Sequence, residues 1–148
     1  MTQAPRPAAR EDLTALVGMM GEFYAEAGTT FDAERVTRAF AEILEDERLG
    51  CVWILEQDGL PVGYAVLTLS YSLEFGGRIA FLDDLFVRAP HRGRGLGTAA
   101  VEAVIAACRA RGVRALHLEV ALDNIAAASL YRKLGFADRG FQLMTMRL

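Results

Sequence analysis

One segment constrains the fold more than any other: an apolar stretch, Phe81–Val87, followed first by three closely spaced glycines and then by a long Ala- and Val-rich run. Apolar and aromatic density ending near Pro90 predicts a buried strand. Apolar residues spaced three and four apart then predict a helix that ends at Gly112. They are Leu96, Ala100, Val101, Val104, Ile105 and Cys108. The segment therefore predicts a strand, a glycine-rich turn and a helix, in that order.

The turn itself predicts an anion site. It consists of Arg92, Gly93, Arg94, Gly95, Leu96, Gly97 and Thr98. Glycine lets backbone N–H groups converge without obstruction from side chains. The start of a helix adds unpaired N–H groups and the positive end of its dipole. Together with the two arginines, these features predict a cradle for phosphate.

Two nucleotide-binding motifs share features with this turn. A Walker loop requires a lysine after its last glycine, and the only lysine of the chain is Lys133. Gly95–Ala100 fits the dinucleotide pattern G-x-G-x-x-A, with Glu119 about 20 residues further on. However, that fingerprint requires its first glycine directly after the strand, so we interpret the match as fortuitous. A nucleotide-binding module is kept only as a third hypothesis.

Two segments together resemble a known family. The first is Arg92-x-x-Gly95-x-Gly97 after the strand that ends at Val87. The second contains Asn124, Ala128, Tyr131, Gly135 and Phe136. In this order and spacing they resemble the acyl-CoA loop and the fourth helix of the GNAT (GCN5-related) N-acetyltransferase superfamily. The resemblance is strong from Phe81 to Phe136 and weak before that.

The resemblance implies a fold and a co-substrate. It implies an α/β architecture with a mixed central sheet of six to seven strands and about four helices, splayed between the fourth and fifth strands. Acetyl-CoA is the implied acyl donor, with its diphosphate on the glycine turn. Its pantetheine arm would lie beside Leu85, Phe86 and Val87, which contribute backbone in the manner of an added strand. Asn124 would contact the same arm.

Hydrophobic periodicity assigns the rest of the chain to one domain, residues 1–148. It predicts helices from Asp12 to about Ala27 and from the N-cap Asp32 to about Asp46, and a later helix over Asn124–Leu134. The predicted strands are Arg6–Ala9, Cys51–Leu55, Val62–Leu69, Arg78–Val87, Ala115–Val120 and, last, Phe141–Met146. The order predicts an antiparallel meander followed by a parallel crossover.

Composition excludes several classes of function. No apolar run reaches the ~20 residues of a membrane span, and the N-terminus does not resemble a leader, so we expect a cytoplasmic protein. A net charge of −3 argues against a general nucleic-acid binder. Two cysteines and two histidines without a clustered spacing argue against a metal site. The slight acidity favours a cationic small substrate.

The chemistry implied by the resemblance is transfer of an acetyl group to an amine within a ternary complex. Tyr131 lies about two helical turns after Asn124, and in the resembled family this tyrosine points at the thioester sulfur, as the acid for the departing thiolate. Asp83 and Asp84 are the candidate bases. Because consecutive strand residues face opposite ways, one should face the acceptor, unless a bulge changes the alternation. Likeness to polyamine-type acetyltransferases favours Asp83, with a water relay because the side chain is short.

The acceptor cannot be identified from these residues. The resemblance implies that the two N-terminal helices and the loop between them cover the acceptor site. Glu74, in the loop before the fourth strand, could face the acceptor or be solvated. The candidates are Phe23, Tyr24, Phe31, Glu74 and Asp83. The sequence thus predicts an N-acetyltransferase of a small-molecule amine or a peptide. The alternative is a non-catalytic acyl-CoA-binding sensor or partner module of the same fold, and a homodimer is possible for either.

Overall fold

The computed structural model describes residues 2–148 and contains one five-stranded sheet with four α-helices. In chain order the elements are β1 (Arg6–Pro7), α1 (Leu13–Ala27), α2 (Ala33–Glu45), β2 (Gly50–Gln57), β3 (Leu60–Ser72), β4 (Gly77–Val87), α3 (Leu96–Ala110), β5 (Leu116–Leu118) and α4 (Ile125–Lys133). Single 3-10 turns at Arg10–Asp12 and Ala89–His91 precede α1 and the glycine turn.

The strands follow the order of the sequence across the sheet, β1 to β5. The first four are antiparallel to their neighbours, and β5 pairs with β4 in parallel after the crossover through α3. The meander and the parallel crossover predicted from the sequence are therefore confirmed. The ligand-binding edge of such a sheet lies where the direction and connectivity of the strands change, which here is beyond β4 and β5.

Alternation along the strands divides the core between the two faces of the sheet. On one face, Ile54 of β2 and Tyr64 of β3 pack with α1 and α2. On the other, Leu55 and Leu67 pack with α3. Each fully buried aliphatic side chain contributes on the order of 2 kcal/mol to the free energy of folding. Because both faces are covered, the central strands are stabilised from both sides.

Local signals set the ends of the helices as predicted. Gly28 ends α1 in the left-handed region at φ 67°. Asp32 caps α2, since its Oδ1 accepts a hydrogen bond from the Arg35 backbone N–H at 3.1 Å. Asn124 caps α4 in the same way, with its Oδ1 3.2 Å from the Ala127 N.

The C-terminal prediction was wrong in one respect: residues 141–146 form no strand. The sheet accordingly has five strands rather than six or seven among the described residues. Phe141 and Met146 are 79% and 82% exposed. An apolar run is compatible with a strand, but a strand also requires a neighbouring edge that completes its hydrogen bonds, and within this chain residues 141–146 pair with no such edge.

Candidate active site

A cleft opens where β4 and β5 diverge. β5 pairs with β4 only along Ala80–Leu82, whereas β4 continues to Val87. The cleft has a volume of about 730 Å3. It is lined by Phe23, Glu26, Ala27, Leu82, Asp83, Asp84, Leu85, Glu119, Val120, Ala121, Asp123, Asn124, Ala127 and Tyr131. The fold therefore brings Asp83, Asp84 and Tyr131 to one cavity, although they are distant in sequence.

A β-bulge turns both aspartates toward that cavity. Leu82 and Asp84 lie opposite consecutive residues of β3, so Asp83 between them has no partner in the ladder. Before the bulge, the even-numbered Leu82 faces α3, whereas after it the even-numbered Phe86 faces α1 and α2. Regular alternation would have separated the two carboxylates; the extra residue places them on the same face.

The two carboxylates differ in environment. Asp84 is half-buried, and burial together with the neighbouring charge of Asp83 raises its pKa to about 6. The buried Tyr64 hydroxyl donates to Asp84 Oδ2 at 3.1 Å, which favours the ionised form but only partly offsets the burial. Asp83 is exposed at the cleft, and partial desolvation there also raises its pKa. Asp84 thus has a pKa close to neutrality, where a general base is most effective.

Tyr131 lies across the cleft from the aspartates, on α4. Its ring is half-buried and packs edge-on against Phe136, with ring centroids 5.8 Å apart. Burial raises the pKa of its phenol, so the hydroxyl stays protonated at neutral pH and can donate a proton or a hydrogen bond. Asn124 lies about two turns earlier on the same side of α4 and lines the same cleft.

The backbone conformation of the glycine turn is compatible with the predicted anion site. Gly93 and Gly95 adopt φ values of 74° and 84°, in the left-handed region that favours glycine. Gly95 also caps α3, so the unpaired N–H groups of that helix begin at the turn. A Cβ on Gly95 would lie 3.5 Å from Thr2 Oγ1, and one on Gly97 would lie 3.8 Å from Leu130 of α4. The small residues leave the backbone of the turn accessible.

The two arginines of the turn have different roles in the structure. The Arg92 guanidinium donates to the Val87 carbonyl at 2.7 Å and pairs with Glu26 of α1 at 2.7 Å. Arg88 makes a parallel contact, 2.8 Å from Glu22 of the same helix. Arg92 therefore ties the end of β4 to α1, whereas Arg94 is exposed and lines a second, smaller cavity.

The predicted acceptor residues fall into two groups. Phe23 lines the cleft and stacks on Phe86, with centroids 5.4 Å apart. Tyr24 and Phe31 pack edge-on against each other, with ring centroids 5.7 Å apart, and neither lines the cleft. Glu74 lies away from the cleft, paired with Arg139 at 2.6 Å. The loop before β4 is thus at the opposite end of the strand from the glycine turn.

Sequence reasoning missed several residues of the site. Asp123 and Ala127 line the cleft beside Asn124 and Tyr131. Ala127 lies one turn before Tyr131 on the same helix face, so helical spacing carried a signal for it. Tyr64 had no such signal, because it stands within an apolar strand and is recognised as a partner of Asp84 only through the cross-strand pairing.

The remaining observations concern metal-binding clusters and membrane-spanning helices among the described residues. Among residues 2–148, no group of His, Cys, Asp and Glu side chains has a geometry suited to hold a metal ion. Over the same range, no helix combines the length and apolar character needed to cross a bilayer.

The fold and the cleft define a class of protein: a mixed sheet with a splayed parallel pair, a glycine-rich turn at a helix start, and ionisable groups facing one another across the splay. Residues 16–136 match the model of the acetyltransferase (GNAT) family. The chain belongs to that family.

Individual relatives agree with this assignment. An uncharacterised N-acetyltransferase of Bacillus subtilis, YhfO, is 30% identical over 92% of this chain and 91% of its own length. The thialysine N-epsilon-acetyltransferase of Bos taurus is 35% identical over 57% of this chain, which spans 52% of that protein. The chain thus spans about half the length of that curated relative.

A solved structure supports the fold over nearly the whole chain. The integron cassette protein HFX_CASS3, from the mobile metagenome of Cole Harbour Salt Marsh, superposes with a TM-score of 0.89 at 40% identity. The superposition covers 97% of this chain and 90% of that protein. The predicted mixed α/β architecture is therefore confirmed, with the smaller number of strands given above.

Proposed function

We propose that this protein transfers an acetyl group from acetyl-CoA to a primary amine of a small molecule or peptide, by direct attack within a ternary complex. The observation that carries the proposal is the convergence of Asp83, Asp84 and Tyr131 on one cleft beside the end of β4. Family membership supports the reaction type. A proton acceptor and a proton donor on opposite walls of one cavity are what an amine acylation requires.

The donor fits the backbone features of the cleft. The N–H groups of the turn around Gly93 and Gly95 would hold the diphosphate, with Arg94 as the nearby cation. Beyond Leu82, the edge of β4 that faces β5 has no strand partner. Leu85, Phe86 and Val87 therefore offer backbone groups with which the amide-bearing pantetheine arm can pair. Arg92 fixes this edge by holding the Val87 carbonyl.

We assign different tasks to the two aspartates. An alkylammonium has a pKa of ~10.4 and must lose a proton before its nitrogen can attack the thioester carbonyl. Asp84, with its pKa of about 6, accepts that proton, directly or through one water. The more exposed Asp83 binds the ammonium group as it enters. Both roles depend on the bulge that turns the two carboxylates to one side.

Tyr131 completes the reaction on the donor side. When the C–N bond forms and the C–S bond breaks, the departing thiolate takes the proton of the Tyr131 hydroxyl. The resulting phenolate then takes up the second proton, which the acylated nitrogen loses as the amide forms. An ordinary thiol has a pKa of ~8.5, so the protonated product is favoured at neutral pH. Holding the amine and the thioester together supplies a further part of the rate.

The charge of the cleft supports a cationic acceptor. Five carboxylates line it, from Glu26, Asp83, Asp84, Glu119 and Asp123, and no lysine or arginine does. Glu26 is neutralised in part by Arg92, which leaves the other four facing the cavity. This negative potential attracts amines that carry a second positive charge besides the reacting nitrogen, and it disfavours acceptors that carry carboxylates.

The central test is a measurement of free-thiol release from acetyl-CoA across diamines, monoamines, amino acids and peptides. Tyr131→Phe should lower kcat about 100-fold and leave the dissociation constant of acetyl-CoA nearly unchanged. The matched control is Tyr71→Phe, because Tyr71 is 70% exposed on β3 and lies outside the cleft. Turnover that is equal in both variants would remove Tyr131 from the mechanism.

The same assay distinguishes the proposed roles of Asp83 and Asp84. Asp84→Asn should lower kcat and abolish its rise through about pH 6, whereas Asp83→Asn should mainly raise KM for the amine.

Acetyl-CoA binding in a thermal-shift assay without turnover of any amine would favour the sensor instead. Stabilisation by NAD or ATP but not by CoA would favour the nucleotide-binding module.

A further inference from the structure

One buried hydroxyl behind the cleft is directed at the candidate active site. Tyr64 lies in β3 and has no exposed surface. Its hydroxyl donates to Asp84 Oδ2 at 3.1 Å, and within residues 2–148 this is the only hydrogen bond that the hydroxyl makes. Because a buried hydroxyl without a partner is costly, this bond fixes the direction in which the hydroxyl proton of Tyr64 points.

The register of the sheet makes the contact possible. Asp84 lies opposite Val66, and Tyr64 stands two residues before Val66 on β3, so its side chain is on the same face. Such diagonal neighbours on adjacent strands are about 7–8 Å apart, within reach of a long aromatic side chain. The bulge at Asp83 is also required, because regular alternation from Leu82 would turn Asp84 toward α3.

The ring of Tyr64 is held on two sides. Phe40 of α2 packs edge-on against it, with ring centroids 5.9 Å apart. Phe86, directly opposite on β4, lies at 6.1 Å and itself stacks on Phe23 of the cleft wall. Since the ring is packed in this way, its hydroxyl stays at one oxygen of Asp84.

We propose that Tyr64 is a positioning residue that holds Oδ2 of Asp84 and so makes Oδ1 the oxygen that takes the proton of the acceptor amine. The inference rests on the proposed acetyl transfer. The N–H bond of the ammonium group breaks, and its electron pair stays on nitrogen for the attack. The proton forms an O–H bond with Oδ1, directly or through one water, and later passes to solvent at the mouth of the cleft.

The charges around Asp84 make this one donor important. The other titratable groups lining the cleft around Asp84 are Asp83 on β4, Glu26 on α1, Tyr131 on α4, Glu119 at the end of β5 and Asp123 before α4. Tyr24 of α1 lies close enough to interact with Tyr64, and the contact from α2 is the apolar Phe40. None of these groups is a cation, and within residues 2–148 Asp84 has no other hydrogen-bond donor.

Removal of the hydroxyl should therefore change the titration of Asp84. Burial and the charge of Asp83 raise the pKa of Asp84, and the bond from Tyr64 lowers it. Without that bond, Asp84 should remain protonated to a higher pH, and its carboxylate should be free to rotate.

The first test follows Asp84 in the whole protein, without any substrate. NMR of the carboxyl carbons records its titration, and the signal is identified by its absence in Asp84→Asn. Tyr64→Phe keeps the ring and removes only the hydroxyl, so the proton concentration at the midpoint should fall about tenfold. Tyr71→Phe is the matched control, because Tyr71 is on the same strand, is 70% exposed and lies outside the cleft. It should leave the midpoint unchanged.

The second test is the pH profile of kcat with acetyl-CoA and the fastest amine of the thiol-release assay. Tyr64→Phe should move the rise of kcat to higher pH by the same factor of about ten and leave the dissociation constant of acetyl-CoA nearly unchanged. In the Asp84→Asn background the same substitution should change kcat by less than about twofold, because the two residues act as a unit.

Three results would overturn the proposal. The first is an NMR midpoint that Tyr64→Phe does not move. The second is a loss of kcat that is equal at every pH, or that persists in the Asp84→Asn background, since a merely structural role has that effect. The third is a shifted midpoint in a protein that turns over no amine, which would reject the acetyl transfer itself while the hydrogen bond remains. Circular dichroism of each variant confirms that the fold is retained.

Discussion

The two parts of this molecule are built differently. In the first, β2, β3 and β4 lie between α1 and α2 on one face and α3 on the other, and residues such as Leu16, Ile54 and Leu67 have no exposed surface. In the second, residues 116–148, α4 has no fully buried residue and β5 has only three residues. Yet the second part supplies one whole wall of the cleft. Stability is therefore concentrated in the first part, and the less firmly packed second part completes the site.

One substitution in the core and one on the surface test this difference in packing directly. Leu67→Ala should lower the free energy of unfolding by about 3 kcal/mol, because it leaves a cavity in a filled core. Leu122→Ala, at 104% exposure, should change it by less than about 0.5 kcal/mol. Urea denaturation at low protein concentration measures both values. Equal losses would mean that the second part is packed as tightly as the first in solution.

Binding of acetyl-CoA should reduce the difference in stability between the two parts. At 100 times its dissociation constant, acetyl-CoA should stabilise the fold by about 2.7 kcal/mol. Hydrogen exchange should show the gain in protection mainly in the glycine turn and in residues 119–134, because these surround the proposed site. Protection confined to β2 and β3 would contradict the assignment of the cleft.

The half-buried carboxylate of Asp84, in the first part, should make stability depend on pH. The folded-state pKa of Asp84 is about 6, above the ordinary value of 3.8. Its contribution is therefore fully present below about pH 4 and is lost as the pH rises through 6. Asp84→Asn removes this loss, and its amide oxygen can still accept from Tyr64. The variant should match the wild type at pH 4 and exceed it by about 2 kcal/mol at pH 8.

Thermal unfolding across that range checks the prediction. Asp46→Asn is the control, since Asp46 lies on the surface and Arg48 lowers the pKa of its carboxyl. A wild type and an Asp84→Asn variant with parallel pH profiles would show that Asp84 is not desolvated.

The smallest effect concerns the ion pair between the glycine turn and α1. Arg92 and Glu26 are each nearly half exposed, so solvent screens their attraction. Glu26→Gln should cost less than about 1 kcal/mol, and high salt should abolish the difference. Glu34→Gln, which removes the largely exposed ion pair with Arg38, provides the comparison. A larger, salt-independent loss would mean that the turn depends on α1 for its structure.

Much of the fold could be predicted because its signals are local. Four such signals each depend on neighbours within a few residues. They are the apolar face of α2, the N-cap at Asp32, the end of α1 at Gly28 and the alternation of side chains along β2 and β3. The glycine turn was also recognisable, since only glycine adopts the φ values found at Gly93 and Gly95 without strain. The missing sixth strand could not be predicted, because its apolar pattern is that of a strand and only the available edges decide whether it pairs.

Local signals in the sequence specified the type and order of the helices and of strands β1 to β5, the glycine-rich turn at the start of α3 and the residue types available for acid–base chemistry. Only the tertiary structure shows that a bulge puts Asp83 and Asp84 on one face and that the Tyr64 hydroxyl donates a hydrogen bond to Asp84. It also shows that Arg92 pairs with Glu26 of α1 and that Glu74 lies far from the cleft. The physical reason is that these outcomes depend on strand register and on contacts between residues distant in the chain. A change of register by one residue reverses the side to which every following side chain points.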